Sequence, residues 1–472
     1  MRNDMILILP ELTVLLFSVF FLFISLGEKK RNPAGYAGPL SLIIFIISLL
    51  TLSQTGILFS GAYRVDLFSQ IFKVMLSLGF SLVLFMLEKK DEIEENYRAE
   101  YFMFLGFSVL GLMMLVSSVE LISMVISLEI SSYSLYVIVP LRKGGTKIQI
   151  EASMKYLFFG AVATGIMLYG MGYLYGIAHS TFLADIIKVM PSYINQPVGI
   201  IAVVFTLTGF FFKLSLFPFH FWSPDIYEGA SNTTTTFIST IPKIAAVALL
   251  LRVVMLTSPG GQQFVNILIV LAALSMTFGN LVGLVQKDLK RLLAYSGIAH
   301  AGYVMLGVLS LSSDGNAAAI YYIAVYIFMN LACFYVVILL SRNGNNPTVA
   351  DLAGLAKRSP LLGFLLAASA FSLAGIPPTG GFTGKLFLLM SAFKAGHLNI
   401  VIIAAVNTVI SIFYYLNLVR ISYSKAAATG AGEIRLTLQE KALCFIFIGM
   451  ILYTGLLPFG LLEMFKGMLS LG

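Results

Sequence analysis

Four charged side chains stand where the surrounding sequence offers only hydrocarbon. Glu129 lies at the centre of the apolar run 119–141, Lys213 well inside 198–222, Lys243 near the middle of 233–256, and Lys385 within 360–396. A charge at mid-bilayer costs about 2.5–3.5 kcal/mol on insertion scales, so such a group must be paired or hydrated. These residue types suit one kind of chemistry. A buried lysine loses proton affinity by desolvation and regains it beside a carboxylate. Moving the carboxylate, or charging a neighbouring lysine, therefore moves a proton. Joined by water, the four groups would be successive proton stations. The competing reading is a set of structural ion pairs that lock helices together. Three more cations lie inside apolar runs. Lys155, inside 151–177, is either a station or a snorkelling side chain, and Lys73 and Arg252 are expected to reach an interface. His300, in KRLLAYSGIAHAGYV, titrates near neutrality and could pass protons between two halves of the chain, or it is a hydrogen-bonded core histidine.

The elements that must carry these residues follow from composition. The chain has 472 residues, 58% hydrophobic and 11% charged, far from the roughly 25% charged residues of soluble domains. At about 20 residues per span, it reads as an all-α polytopic membrane protein. Fourteen apolar segments lie near 5–26, 36–58, 67–87, 101–117, 119–141, 151–177, 198–222, 233–256, 261–283, 288–309, 316–341, 360–396, 398–423 and 438–460. Of the 30 Lys and Arg, 19 fall in or beside the odd-numbered connections: Lys29, Lys30, Arg31, Lys89, Lys90, Arg98, Arg142, Lys143, Lys147, Lys287, Lys290, Arg291, Arg342, Lys357, Arg358, Arg420, Lys425, Arg435 and Lys441. Only Arg2, Arg64, Lys188, Lys394 and Lys466 fall on the other side. The asymmetry predicts odd loops in the cytoplasm and both termini outside. It also explains the net charge of +8 without any call for nucleic acid.

Two segments carry helix breakers. FKLSLFPFHFWSPD places Pro218 just after Lys213, and SLAGIPPTGGFTGKL places Pro377, Pro378, Gly380 and Gly381 just before Lys385. Proline removes a backbone hydrogen bond and clashes with the preceding turn, so both helices should break. Broken helices at matching places in two halves point to ion sites in inverted-repeat transporters. The spacing of the breaks predicts two inverted five-helix repeats, over segments 4–8 and 9–13. The corresponding division is three helices in 1–100, a first repeat in 101–256, a second in 257–423 and a last helix in 424–472. His220 reads equally as an interfacial anchor or a proton port. Tyr295, Ser296 and Thr233–Thr236 could order water, although hydroxyls at helix starts are more often caps. Cys333 and Cys444 lack metal spacing and read as small core residues. The sequence offers no Walker loop, dinucleotide fingerprint, HExxH or nucleophile elbow.

At these motifs the sequence resembles the antiporter-like membrane subunits of proton-pumping NADH:quinone oxidoreductase (complex I), most closely the N-type. The carriers are ILPEL at 8–12, SLEISSYSLYV at 127–137, EASMKYLFFG at 151–160, FKLSLFPFHFWSPDIYEGA at 212–230, QKDLKRLLAYSGIAHAGY at 286–303, and DLAGLAKRSPLLGF with SLAGIPPTGGFTGK across 351–385. The resemblance implies fourteen helices, with Glu129 paired to Lys213, Lys243 central, and Lys385 in an exit half-channel. The run ASNTTTT at 230–236 departs from the usual proline-containing form. The resemblance also implies a translocase subunit in a bacterial inner membrane, with other membrane-arm subunits and lipids as partners and protons as cargo. This chain would hold no cofactor; NAD, FMN, iron–sulfur clusters and quinone are expected in partner subunits. The alternatives are a cation/proton antiporter of the Mrp type, alone or multisubunit, and a purely structural subunit of the membrane arm.

Overall fold

The computed structural model describes residues 2–27, 33–87, 92–144, 147–254, 261–341, 345–424 and 432–470. The basic residues Lys29, Lys30, Arg31, Lys89, Lys90, Arg342 and Lys425 lie outside the described residues. The first ten helices are α1 (Arg2–Leu7), α2 (Leu9–Ser25), α3 (Ala34–Leu50), α4 (Leu67–Leu87), α5 (Arg98–Ser117), α6 (Leu121–Ile138), α7 (Lys147–Ala178), α8 (Leu183–Val189), α9 (Pro197–Leu214) and α10 (Trp222–Gly229). They are followed by α11 (Asn232–Val254), α12 (Gln262–Gly283), α13 (Leu289–Leu309), α14 (Ser313–Leu340), α15 (Leu355–Arg358), α16 (Pro360–Ala374), α17 (Gly380–Lys394), α18 (Leu398–Ser422), α19 (Leu438–Leu456) and α20 (Pro458–Ser470). A short antiparallel hairpin, β1 (Gly56–Leu58) and β2 (Tyr63–Val65), pairs Ile57 with Arg64.

The chain is an all-α membrane protein. Among the described residues, 11 helical stretches are long and apolar enough to cross a membrane, and α2, α3 and α16 are shorter apolar helices. Polar residues set several of the ends. Glu120 caps α6 by accepting from Ser123 N at 2.7 Å, and Asp288 caps α13 by accepting from Arg291 N at 2.8 Å. Thr437 and Glu440 form a reciprocal capping box at α19. Three apolar segments are shorter as helices than their sequence suggests. The run 36–58 stops being helical at Leu50 and ends in β1; 198–222 breaks at Leu214; 438–460 divides at Leu457 into α19 and α20.

The chain divides into two compact units, one of residues 1–214 and 229–268 with the last three, the other of 215–228 and 269–469. In the first, α4, α5 and α9 pack against α11, which is buried almost throughout. The connections of this unit gather at its two ends. At one, Lys143 N donates to Glu92 O at 2.8 Å, Asn232 Nδ2 donates to Glu92 Oε1 at 2.8 Å, and Arg142 donates to the Gly229 and Ala230 carbonyls. At the other, Tyr63 bridges to Ser118 and Glu120 to Phe182.

In the second unit α14 is the buried axis, packed by α13, α16, α17 and α19. One end is closed by Arg291, which reaches Asp225 at 2.9 Å and Glu228 at 2.7 Å, and by the Asp288–Thr348 bridge. At the opposite end Asp314 holds Lys466 at 2.7 Å and Lys394 at 3.5 Å. Cys333 and Cys444 are buried and free.

Candidate functional site

The site in the first unit is built around the end of α9. The helix stops at Leu214, Ser215 takes a left-handed φ of 60°, and Phe217–Pro218 is a cis bond before α10 begins. Lys213 is therefore the last cation before a break, and it is buried at 3% exposure. Its Nζ lies 5.8 Å from the centroid of the Tyr156 ring on α7 and has no hydrogen-bond partner among the described residues. Glu129, half-buried on α6, instead accepts a hydrogen bond from Thr164 Oγ1 at 2.7 Å. The pair expected between Glu129 and Lys213 is thus open in this arrangement, because a threonine of α7 holds the carboxylate.

Lys243 is buried at 2% exposure on α11. Pro242 just before it cannot donate to the Ile238 carbonyl, and Ser239 and Thr240 place hydroxyls 3.2 Å apart in the preceding turn. The helix thus becomes polar beside its lysine. Lys155 stands apart from this group. It pairs with Glu151 one turn away at 2.6 Å, with side chains 36% and 64% exposed. Lys73 corrects the expectation that it snorkels: it is fully buried and ion-paired to Glu11 at 2.6 Å. Arg252 is also less open than an interfacial residue, since Asp66 Oδ1 binds it at 2.8 Å. Burial acts to raise the Asp66 carboxyl, but the Arg252 guanidinium and bonds from Ser69 outweigh it, so Asp66 titrates below the usual carboxylate range. The Thr233–Thr236 run is tied into its own helix end: Thr233 and Thr234 bond with Ser231 and Tyr101.

The second unit holds the other break. The helix α16 ends at Ala374, Gly375 takes φ 84°, Pro377–Pro378 is cis, and α17 starts at Gly380. The last carbonyls of a helix have no partner within it and carry its negative dipole end. Lys385, buried at 3% exposure, fills that need by donating to Leu373 O at 2.9 Å and Ala374 O at 3.1 Å. Its Nζ also sits 4.6 Å from the Tyr303 ring centroid.

His300 shares α13 with Tyr303 and is buried. Its Nδ1 is 2.6 Å from Tyr322 OH and its Nε2 is 3.1 Å from Tyr415 OH. Tyr415 in turn is hydrogen-bonded to Ser296. Beside them, Tyr303 OH lies 3.0 Å from Thr408 Oγ1, Tyr414 OH donates to Asn280 Oδ1 at 3.0 Å, and Asn280 Nδ2 donates to Asn407 Oδ1 at 3.2 Å. Hydroxyls and an imidazole both give and accept hydrogen bonds, so the cluster can relay a proton as well as hold shape. Sequence reasoning named His300, Ser296 and Lys385 here but missed Tyr303, Tyr322, Tyr415, Asn280 and Asn407. The two asparagines did carry a signal, as amides inside apolar runs. His220 lies between the rings of Phe217 and Phe278, at 5.3 Å and 4.6 Å, and is buried at 1% exposure, so it is not an interfacial anchor.

Comparison with known proteins places the chain in a family. Residues 118–411 match the family described as NADH:quinone oxidoreductase/Mrp antiporter, TM. The chain is 43% identical over 453 residues to NADH-quinone oxidoreductase subunit N 2 of Opitutus terrae, covering 95% of each. It is 35% identical over 465 residues to NADH-quinone oxidoreductase subunit N of Hydrogenovibrio crunogenus, covering 97% of each. Its fold is similar to a chain of respiratory complex I from Thermus thermophilus, with a TM-score of 0.83, 30% identity, and coverage of 96% of this chain and 98% of that one. A chain of the Mrp complex from Dietzia sp. has a TM-score of 0.86 at 19% identity, covering 100% of this chain and 97% of that one, which shows a shared fold. The chain belongs to the NADH-quinone oxidoreductase subunit N family, within the wider complex I and Mrp antiporter group of membrane proteins.

Proposed function

We propose that this chain is a proton-translocating, non-redox membrane subunit of an NADH:quinone oxidoreductase, set among other membrane-arm subunits in a bacterial plasma membrane. Redox chemistry, with NAD, FMN, iron–sulfur clusters and quinone, belongs to partner subunits. Both termini face outward, as the basic loops require. The observation that carries the reading is the pairing of each helix break with a deeply buried lysine, Lys213 at one and Lys385 at the other. A group placed so has no cheap structural use, since a buried ion can be replaced by apolar packing at little or no cost in stability.

The chemistry follows from the geometry. With Glu129 held by Thr164, Lys213 lacks a direct hydrogen-bond partner among the described residues. Release of Glu129 toward Lys213 would favour the charged form and load a proton there. A charged Lys213 then disfavours charge on Lys243, because like charges interact strongly at low dielectric. Lys385 and the His300–Tyr322–Tyr415 cluster supply the corresponding stations in the second unit. The test is Lys213→Ala in the whole complex, with assembly checked on native gels. The proton-to-electron ratio should fall while quinone reduction by NADH persists. An unchanged ratio in a fully assembled complex overturns the reading.

A further inference from the structure

One buried charge cluster has no place in the pathway above. Glu11 on α2, Tyr63 on β2 and Lys73 on α4 meet in the first unit. Lys73 Nζ is 2.6 Å from Glu11 Oε1, and Tyr63 OH donates to the same oxygen at 2.5 Å. The Lys73 ammonium also lies 5.4 Å from the Tyr63 ring centroid. Lys73 is fully buried and Glu11 is 6% exposed. Burial and the Glu11 carboxylate hold the Tyr63 phenol well above its ordinary range, so it serves as a donor. Leu7, Val65, Ile8, Leu58 and Met114 pack around Tyr63 and shield the pair. The second oxygen, Glu11 Oε2, is buried without a hydrogen-bond partner among the described residues, which leaves the carboxylate an open acceptor for a proton.

Depth in the bundle links this cluster to Lys243. The helix α4 runs antiparallel to α11. Asp66, just before α4, meets Arg252 at 2.8 Å, and Phe80 meets Phe237 with centroids 6.3 Å apart. Lys73 is halfway between the two contacts on one chain segment. The halfway point on α11 is the step from Ile244 to Ala245. Lys73 therefore lies within about one helical turn of the depth of Lys243. The helices packed against α11 are α4, α5 and α9. Their other ionisable residues are Arg98, Glu100 and Tyr101 on α5 and Lys213 on α9, and α11 itself adds Arg252. Lys73 is thus the single ionisable residue of α4 and stands level with Lys243.

We propose that Glu11 and Lys73, oriented by Tyr63, form a lateral ion pair that sets how readily Lys243 holds a proton, and so act as positioning residues for proton transfer. The proposal rests on the proton-translocating reading. While the pair is intact its charges largely cancel at Lys243. Neutralising one member leaves the other uncompensated in a low-dielectric setting, where its field is felt by the next lysine. The two single changes then act with opposite sign. Glu11→Gln leaves a cation and should make Lys243 release its proton at lower pH; Lys73→Met leaves an anion and should do the reverse.

The experiment measures the pH profile of proton pumping per electron in proteoliposomes holding the whole complex. The variants are Glu11→Gln, Lys73→Met, the double change and Lys73→Arg, with Lys213→Ala as control. The expected result is a midpoint shifted down in Glu11→Gln and up in Lys73→Met, each by about one pH unit. The double change and Lys73→Arg should return the profile close to that of the parent. Unshifted midpoints, or shifts of the same sign, overturn the proposal when Lys213→Ala still lowers the ratio. If both single variants fail to assemble, the double change decides: a midpoint close to that of the parent supports the proposal, and a displaced one overturns it. If Lys213→Ala has no effect, the translocation reading itself fails.

Discussion

Three of the buried lysines are accommodated in three ways. Lys73 has a carboxylate, Lys385 has two helix-end carbonyls and an aromatic face, and Lys213 has an aromatic ring but no hydrogen bond among the described residues. On the proposed pathway Lys213, whose ammonium no hydrogen bond holds in place, is the residue best placed to be switched by a moving partner. Asp66 gives a simpler test of how charge is held at the edge of the bundle. Its carboxyl titrates below the ordinary range, so its pairing with Arg252 contributes stability at and above the pH where a free carboxylate is ionised. That contribution is lost as pH falls through the lowered folded-state value. Asp66→Asn should therefore lower stability at neutral pH by about 1–3 kcal/mol, and the gap to the parent should close in acid. Thermal unfolding in detergent at neutral and acidic pH checks this. Sequence exposed the cost of each buried charge but not its remedy. The partner of Lys73 is on the first long helix, and nothing local to Lys73 reveals it. Thr164 was hidden as a routine hydroxyl, and Tyr322 and Tyr415 as apolar filling, since an aromatic residue in a hydrophobic run usually packs.

At the scale of elements, the breaks were the most legible feature, because proline acts through the backbone and needs no tertiary context. Pro218 and the Pro377–Pro378 pair both lie in non-helical stretches flanked by helices. The hairpin was not legible: Gly56–Leu58 continues an apolar run, and only pairing with Tyr63–Val65 distinguishes it from a helix end. Gly375 sits at the C-cap of α16 with φ 84°, and an added Cβ would lie 3.0 Å from Lys385 Cδ. A left-handed conformation costs a non-glycine residue about 1–2 kcal/mol. Gly375→Ala should thus destabilise the fold by at least that amount and disturb the Lys385 contacts. The expected outcome is a lower unfolding temperature together with a reduced proton-to-electron ratio in whatever complex assembles.

For the molecule as a whole, the arrangement of charge makes a claim about placement in the membrane. Four of the five cations outside the basic loops have acidic neighbours that offset them: Arg64 with Asp66 at 3.4 Å, Lys188 with Asp185 at 3.1 Å, and Lys394 and Lys466 both with Asp314. The proposed orientation, with both termini outward, predicts that a C-terminal alkaline phosphatase fusion is active in cells and a C-terminal fluorescent protein fusion is dark. The reverse pattern would invert the orientation. The joint between α16 and α17 has a consequence for how such a machine can run. A lysine amine that has surrendered its proton still owns two N–H bonds, and Lys385 uses two acceptors, Leu373 O and Ala374 O. On the proposed pathway the joint would therefore stay fastened through a full cycle of charging and discharging, and proton traffic through that lysine would leave the severed helix intact.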